Sequence, residues 1–412
     1  MGKRNIRNLL LSQFFSDVGD WITAGTIMLL IYKATESPVL VSMIMITENI
    51  AIILFATIGG AFADRHSPKK IMVVCDLVRA SVVASIPLFS SNIWLIYVAL
   101  LVQVSFSCFF APAKQKVITK VANRDELAVV NSWSFGISGF VRIIGTMSAG
   151  LIVGALGYHI PFFIDATTFL ISALFLLRVV YHANGSALPQ NSFVDRTAKT
   201  SLLQDVLIGI KEVRRIPAVP KLLAVFTLGS FLMGLFVPQL VVYNARSLQG
   251  DEFSYGLLNA MIALGTIIAT AIFPKFVHRF DPYQTMTYTA FAGLGSMLIL
   301  LTLVPPPFQL AVLFFFGVLQ STPNLVATTL AQMIVPEELL GRYFGLLNLF
   351  TTSCYITGMV VGGLVASYDI DWMYRGAGLF ALTVFVLTVL FRNQMQRGIS
   401  YEQTQAPSAK SP

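Results

Sequence analysis

Long apolar stretches recur along this chain, separated by short polar interruptions. They fall at about 8–32, 38–62, 70–90, 92–112, 128–157, 159–181, 219–245, 253–276, 284–304, 307–334, 341–367 and 372–392. A bilayer core takes roughly 20 residues of helix, and a helix satisfies its own backbone in lipid. The pattern therefore predicts an all-α integral membrane protein with twelve transmembrane helices.

Residues 182–218 break the rhythm: hydrophobicity falls and Ser, Asn, Pro and charge rise. The expected organisation is a six-helix bundle over 1–181, a cytoplasmic linker over 182–218, a second six-helix bundle over 219–392, and a cytoplasmic tail over 393–412. Within the linker, Leu202, Leu203, Val206, Ile210 and Val213 share one helical stripe, while Asp205, Lys211, Arg214 and Arg215 lie off it. Such a helix lies on a membrane surface or under the bundles, or it receives a regulatory partner.

A weak internal repeat supports two halves. A shift of 212 residues lays Asp125, Glu126 and Leu127 on Glu337, Glu338 and Leu339, Met147 on Met359 and Gly150 on Gly362, with Pro112 within one residue of Pro323. The fourth and fifth spans thus correspond to the tenth and eleventh, as in transporters built from parallel repeats.

Composition agrees with the pattern. The chain has 412 residues, 56% hydrophobic and 12% charged, with a mean hydropathy of +0.74, which excludes a water-soluble packing. The net charge of +8 could suggest nucleic acid, but its distribution argues against that. With the N-terminus inside, 23 of the 28 Lys and Arg residues collect on one side, the asymmetry that places both termini in the cytoplasm. Lys3, Arg4 and Arg7 before LLLSQFF imitate a signal peptide, yet Asp17 and Asp20 interrupt its apolar region, so the first helix is expected to stay uncleaved. Cys75, Cys108 and Cys354 each fall inside a helix and imply no disulfide framework. The four His residues are scattered, so neither metal nor cofactor is expected.

Ionisable residues inside hydrocarbon cost about 2.5 to 3.5 kcal/mol at a helix centre and mark candidate function. The first helix carries Gln13, Asp17, Asp20 and Ala24 at three-and-four spacing, one polar stripe. Glu48 lies in the second span, Arg142 near the middle of the fifth and Asp165 in the outer part of the sixth. Asp20 and Arg142 stand at similar depth and are expected to pair, either as a static lock or as part of a proton-exchanging group. Glu48, with no evident basic partner, reads as a proton carrier or as a contact for cationic substrate. The second half offers Gln239, Asn244, Asn259, Gln320, Asn324, Gln332 and Asn348 beside many Phe residues. They line a substrate cavity or bond neighbouring helices. The fifth helix is rich in small residues, Gly139, Gly145, Gly150, Gly154 and Gly157, which let helices approach closely. Gly358 and Gly362 form the matching stripe on the eleventh.

Between the second and third spans runs GAFADRHSPKK, Gly60 to Lys70. Gly60, three residues, Asp64, Arg65 and then Lys69 and Lys70 resemble the loop 2–3 signature of the major facilitator superfamily of membrane transporters, with Ser67 where the family usually has a second Gly. With SDVGDW, TESP and RIIG, the chain most resembles the drug/proton antiporter branch that contains macrolide efflux proteins and the enterobactin exporter. Thr146 stands where that branch often has Pro after Gly. The resemblance implies two six-helix bundles around a central cavity, alternating access by rocking and solute export driven by inward proton flow. It also implies that Asp64 caps a helix of the opposite half and gates the cytoplasmic side, with Asp76 and Arg79 as the rest of that relay.

The expectation is a secondary active transporter, proton-coupled, exporting amphipathic or lipophilic small molecules of the drug, macrolide or siderophore class. It would act as a monomer, without nucleic acid, in a bacterial cytoplasmic membrane, with small-molecule substrate, protons and the lipid bilayer as its partners. A lysophospholipid or lipid transporter on the same fold is the alternative, and a transport-silent sensor a remote one. An enzyme is not expected, since no nucleophile and base pair or phosphate loop occurs.

Overall fold

The computed structural model describes residues 2–122, 124–180, 218–272, 282–335 and 337–390. Among these every regular element is helical. The first six helices are α1 (Gly2–Thr35), α2 (Pro38–Arg65), α3 (Pro68–Ser85), α4 (Ile93–Val121), α5 (Arg124–Leu156) and α6 (Ile160–Leu177). Then come α7 in two pieces (Ala218–Phe236 and Leu240–Arg246), α8 (Glu252–Ile272), α9 in two pieces (Pro282–Thr287 and Leu294–Leu303), α10 (Pro306–Ile334), α11 (Glu337–Tyr368) and α12 (Ile370–Leu390). By length and composition ten of the described helices can cross a membrane, eleven when the two stretches of α5, bent by 41°, count as one span. With α10, of 29 residues, the fold is the expected twelve-helix membrane architecture. The expected linker, the tail and the basic run 275–281 lie outside the described residues.

Local chemistry sets the boundaries. Pro opens α2, α3 and α6 in the first turn, where its missing N–H would be unpaired anyway. Ser37 caps α2 by accepting from the Leu40 N–H, and Asn92 caps α4 by accepting from Trp94. Pro238 stands in the break of α7, where no helical N–H can continue. In α9 a π turn, Tyr288–Gly293, joins the two pieces.

The chain divides into two compact units: Met1–Val194 with Pro238–Ala260, and Asp195–Val237 with Met261–Pro412. In the first unit α1 packs on α5 and α6, α2 on α4, and α3 on α4 and α6. In the second, the first piece of α7 lies along α11, and α9 packs on α12 and α10. Segment 238–260 joins the first unit although it follows the expected linker, a grouping hydropathy does not reveal. Gly150 of α5 shows how it fits: a Cβ there would stand 2.2 Å from the Glu252 carbonyl oxygen.

At the hinge end of the first unit, Leu9, Met72, Ala113, Val117, Ile118 and Leu176 form a core. That core explains why α4 runs through Pro112 to Val121 instead of stopping at 112. The extra turns bury apolar side chains, and Lys114, assigned by sequence to a loop, is half-buried on the helix. Pro112 and Pro323, matched by the repeat, both sit inside helices, α4 and α10.

Candidate functional site

Helix α1 bears two polar stripes, of which the sequence reading recognised one. Of the recognised stripe, Gln13 and Asp17 face α5, while Asp20 turns toward α3 and α4. Gln13 Nε2 donates to the Ser134 carbonyl at 2.9 Å and to Ser138 Oγ at 2.8 Å, and Asp17 accepts from Ser138 Oγ at 2.8 Å. The second stripe, Ser12, Ser16, Gly19 and Thr23, faces α3 and α6. Its three-and-four spacing is the signal that could have found it, carried by small side chains.

On this second face the charges converge. Arg79 of α3, 2% exposed, donates through Nη2 to both carboxylate oxygens of Asp20 and forms an ion pair with them. Its Nη1 lies 3.3 Å from Ser16 Oγ and 3.8 Å from Asp76 Oδ1. Asp76, wholly buried, accepts from Ser172 Oγ at 2.5 Å, and Ser172 meets Ser12 at 3.0 Å. Gln103 of α4 donates to Asp20 at 3.1 Å. Beneath the guanidinium lies the Phe169 ring, 4.1 Å from Cζ to centroid. Asp165 of α6, also wholly buried, accepts from Thr23 Oγ1 at 2.5 Å. Gly19 makes that approach possible, since a Cβ there would stand 2.0 Å from Asp165 Oδ1.

Two expectations need correction. Asp20 pairs with Arg79, not with Arg142. Arg142 is exposed and lies over Trp21, Cζ 5.4 Å from the ring centroid, because its face of α5 meets the neighbouring position of α1. Asp76 and Arg79 do not extend the loop 2–3 hinge; they sit in this interior cluster. Arg79 is eleven residues beyond Pro68, about 17 Å along a helix, too deep for a hinge.

The hinge itself is held locally. Lys116 of α4 pairs with Asp64 and donates to the Ala63 carbonyl at 2.9 Å, closing the end of α2. Lys69 Nζ donates to the Leu177 and Val179 carbonyls at 2.8 and 2.7 Å, capping α6. Arg65 and Lys70 are exposed, and a side chain on Gly60 would meet nothing within 4 Å. Glu48 is half-buried on α2 and, among the described residues, forms no hydrogen bond or ion pair. The charge that acts on it is that of Asp20.

The amides expected to line a cavity are spread. Gln239 is buried and donates to Ser42 Oγ at 2.6 Å. Asn244 donates to the Gly250 and Asp251 carbonyls at 3.3 and 2.9 Å, fixing the turn before α8. Both serve packing within the first unit, because a buried amide needs partners. Gln320 donates to Thr266 Oγ1 at 3.4 Å, Asn348 is exposed, and the Asn324 side chain lies outside the described residues. At the end of the first unit away from the hinge, Arg246 donates to Tyr32 Oη at 3.1 Å and to the Glu36 carbonyl at 2.8 Å, and Tyr158 donates to Glu252 at 2.6 Å. Burial and the Glu252 carboxylate raise the Tyr158 phenol above its ordinary value, so the donor keeps its proton at neutral pH. Among the described residues no group of His, Cys, Asp and Glu could hold a metal ion.

The family model of the Major Facilitator Superfamily matches residues 9–358. The MFS-type transporter YfiS of Bacillus subtilis is 25% identical over 407 residues, covering 94% of this chain and 93% of its own. Multidrug efflux pump Tap of Mycolicibacterium fortuitum is 22% identical over 375 residues, covering 87% and 88%. Among solved structures, a bacterial homologue of the iron transporter ferroportin superposes with a TM-score of 0.69 at 16% identity, over 93% of this chain and 98% of that one; such a likeness speaks for the fold. A chain whose described elements are all helical, with membrane-length spans and a family match over most of its length, belongs to the Major Facilitator Superfamily: it is a multi-pass membrane transporter and not an enzyme.

Proposed function

We propose that this transporter exports amphipathic or lipophilic small molecules in exchange for protons, by alternating access, across a bacterial cytoplasmic membrane with both termini on the cytoplasmic side. The observation that carries the reading is Asp20. Its side chain is 33% exposed while its partner Arg79 is 2% exposed, so an accessible carboxylate compensates a buried cation. Intramembrane acids of that kind are kept for work, since they cost folding energy. Glu48, half-buried and unpaired among the described residues, is the second exchangeable acid, and Asp17, Asp165 and Arg142 complete the charged face of the first unit. Efflux pump Tap, similar over most of the chain, supports export of drug-like solutes. Asp64 and Lys69 hold the cytoplasmic end through their contacts with α4 and α6, and Arg65 and Lys70 stand exposed beside them.

The test is reconstitution in liposomes containing a trapped pH-sensitive dye, with an imposed pH gradient and a panel of macrolides, cationic dyes, siderophores and lysolipids. Proton movement triggered by a macrolide, dye or siderophore is the expected result. Solute transport with no proton movement rejects the coupling, and transport of lysolipid alone rejects the substrate class.

A further inference from the structure

Arg79 has an unfinished contact on its own helix. Its Nε and the Oδ1 of Asp76 are both fully buried, and neither has a hydrogen-bond partner. One is a donor and the other an acceptor, three residues apart on α3. The Nη1 to Oδ1 distance is 3.8 Å, about 1 Å longer than a charge-assisted hydrogen bond. Buried polar atoms are paired in nearly all native structures, so a complementary unpaired donor and acceptor side by side require a reason.

The surroundings supply one. Asp20, on α1, keeps a third of its side-chain surface accessible, whereas Asp76 has none. The Phe169 ring forms a flat floor under the guanidinium, over which it can shift while keeping its cation–π contact. The charged and titratable groups that bear on Arg79 and its two acids are Asp17 and Asp20 on α1, Glu48 on α2, Cys75 and Asp76 on α3 and Asp165 on α6; Lys114 of α4 bears on Asp17, and Arg142 of α5 lies over Trp21. Of the acids, Asp20 and Asp76 alone come within ion-pair distance of Arg79 among the described residues.

We propose that Arg79 moves from Asp20 to Asp76 when Asp20 takes up a proton, Asp76 being the positioning residue that keeps the guanidinium compensated. A proton from water adds to one Asp20 carboxylate oxygen, the guanidinium stays protonated, and Asp76 stays ionised. Because Arg79 and Asp76 share a helix, the move needs no displacement of α3; it releases α1 from α3. Protonation is thereby converted into freedom between two helices. This inference rests on the reading of Asp20 as a proton-exchanging acid.

Infrared difference spectra of the full-length protein in liposomes, recorded against pH, test it. The protonated carboxyl band lost in Asp20→Asn reports Asp20 directly. In Asp76→Asn the midpoint of that band falls by about one pH unit, a tenfold higher proton requirement, because Arg79 has nowhere else to go. Asp76→Glu restores most of the shift. Asp165→Asn removes an equally buried carboxyl that makes no ion pair with Arg79, and it moves the midpoint much less. Ser172→Ala leaves the Asp76 charge but removes its hydrogen bond, and it moves the midpoint the opposite way, to higher pH; this milder variant decides the matter if Asp76→Asn does not fold. Equal shifts from Asp76→Asn and Asp165→Asn, or no shift from Asp76→Asn or Ser172→Ala, overturn the transfer. A wild-type protein with no Asp20 band at any pH overturns instead the proton-exchange reading beneath it.

Discussion

A guanidinium that is 2% exposed depends on its anion far more than a surface arginine does. Removing one partner of a buried pair costs about 3 to 5 kcal/mol, because the other charge stays buried and uncompensated. In Asp20→Asn the nearby Asp76 limits that penalty, while Arg79→Gln leaves both Asp20 and Asp76 without their cation. We therefore expect Arg79→Gln to lower thermal stability in detergent by more than Asp20→Asn, and Arg142→Gln, at an exposed position over Trp21, to change it by less than about 1 kcal/mol. Comparable losses for Arg79→Gln and Arg142→Gln would contradict the assignment. The acids were legible in the sequence because hydrocarbon excludes charge. The pairing was not: depth counting ranks residues along a helix but does not say which face they occupy, and Asp20 and Trp21 are about 100° apart.

Helix contacts carry the next set of expectations. Gly19→Val places side-chain atoms where Asp165 and Thr168 now stand, backed by buried helix rather than a flexible tip. Its cost is that of overpacking, about 1 to 3 kcal/mol or more, with separation of α1 from α6 readable as faster cysteine labelling at Thr23→Cys; an unaltered labelling rate would sink the idea. The Asp64–Lys116 pair is a different case, with side chains 62% and 28% exposed. Exposed pairs contribute roughly 0 to 1 kcal/mol, so a double-mutant cycle of Asp64→Asn and Lys116→Gln should show coupling below about 1 kcal/mol in stability. Loss of transport in Asp64→Asn would then reflect the hinge and not unfolding, whereas a stability coupling of several kcal/mol would make Asp64 a structural residue. Helix starts were readable from Ser37, Asn92 and the prolines. The extension of α4 was not, because Pro112 and Lys114 signal an end locally while Val117 and Ile118 are retained by a core assembled from distant segments.

At the scale of the whole molecule, the family was evident from composition and hinge together, because twelve apolar runs leave few folds that satisfy the backbone in lipid. The grouping of Pro238–Ala260 with the first unit was hidden, since it depends on Gln239, Arg246 and Glu252 finding partners on α1, α2 and the residues before α6. Those contacts differ in weight. Lys33–Glu252 at 3.6 Å, with Lys33 64% exposed, is screened, so Lys33→Gln should shift stability by less than about 1 kcal/mol and less still in high salt. Gln239→Leu leaves buried Ser42 short of its partner and should cost about 1 to 3 kcal/mol; the two melting curves, side by side, check the order. The measurement that bears most directly on the account is solute-triggered proton flux in liposomes carrying wild-type protein or the double variant Asp20→Asn, Glu48→Gln. The account predicts flux in the first and none above background in the second, with both proteins folded. Undiminished flux in the doubly neutralised protein would contradict it.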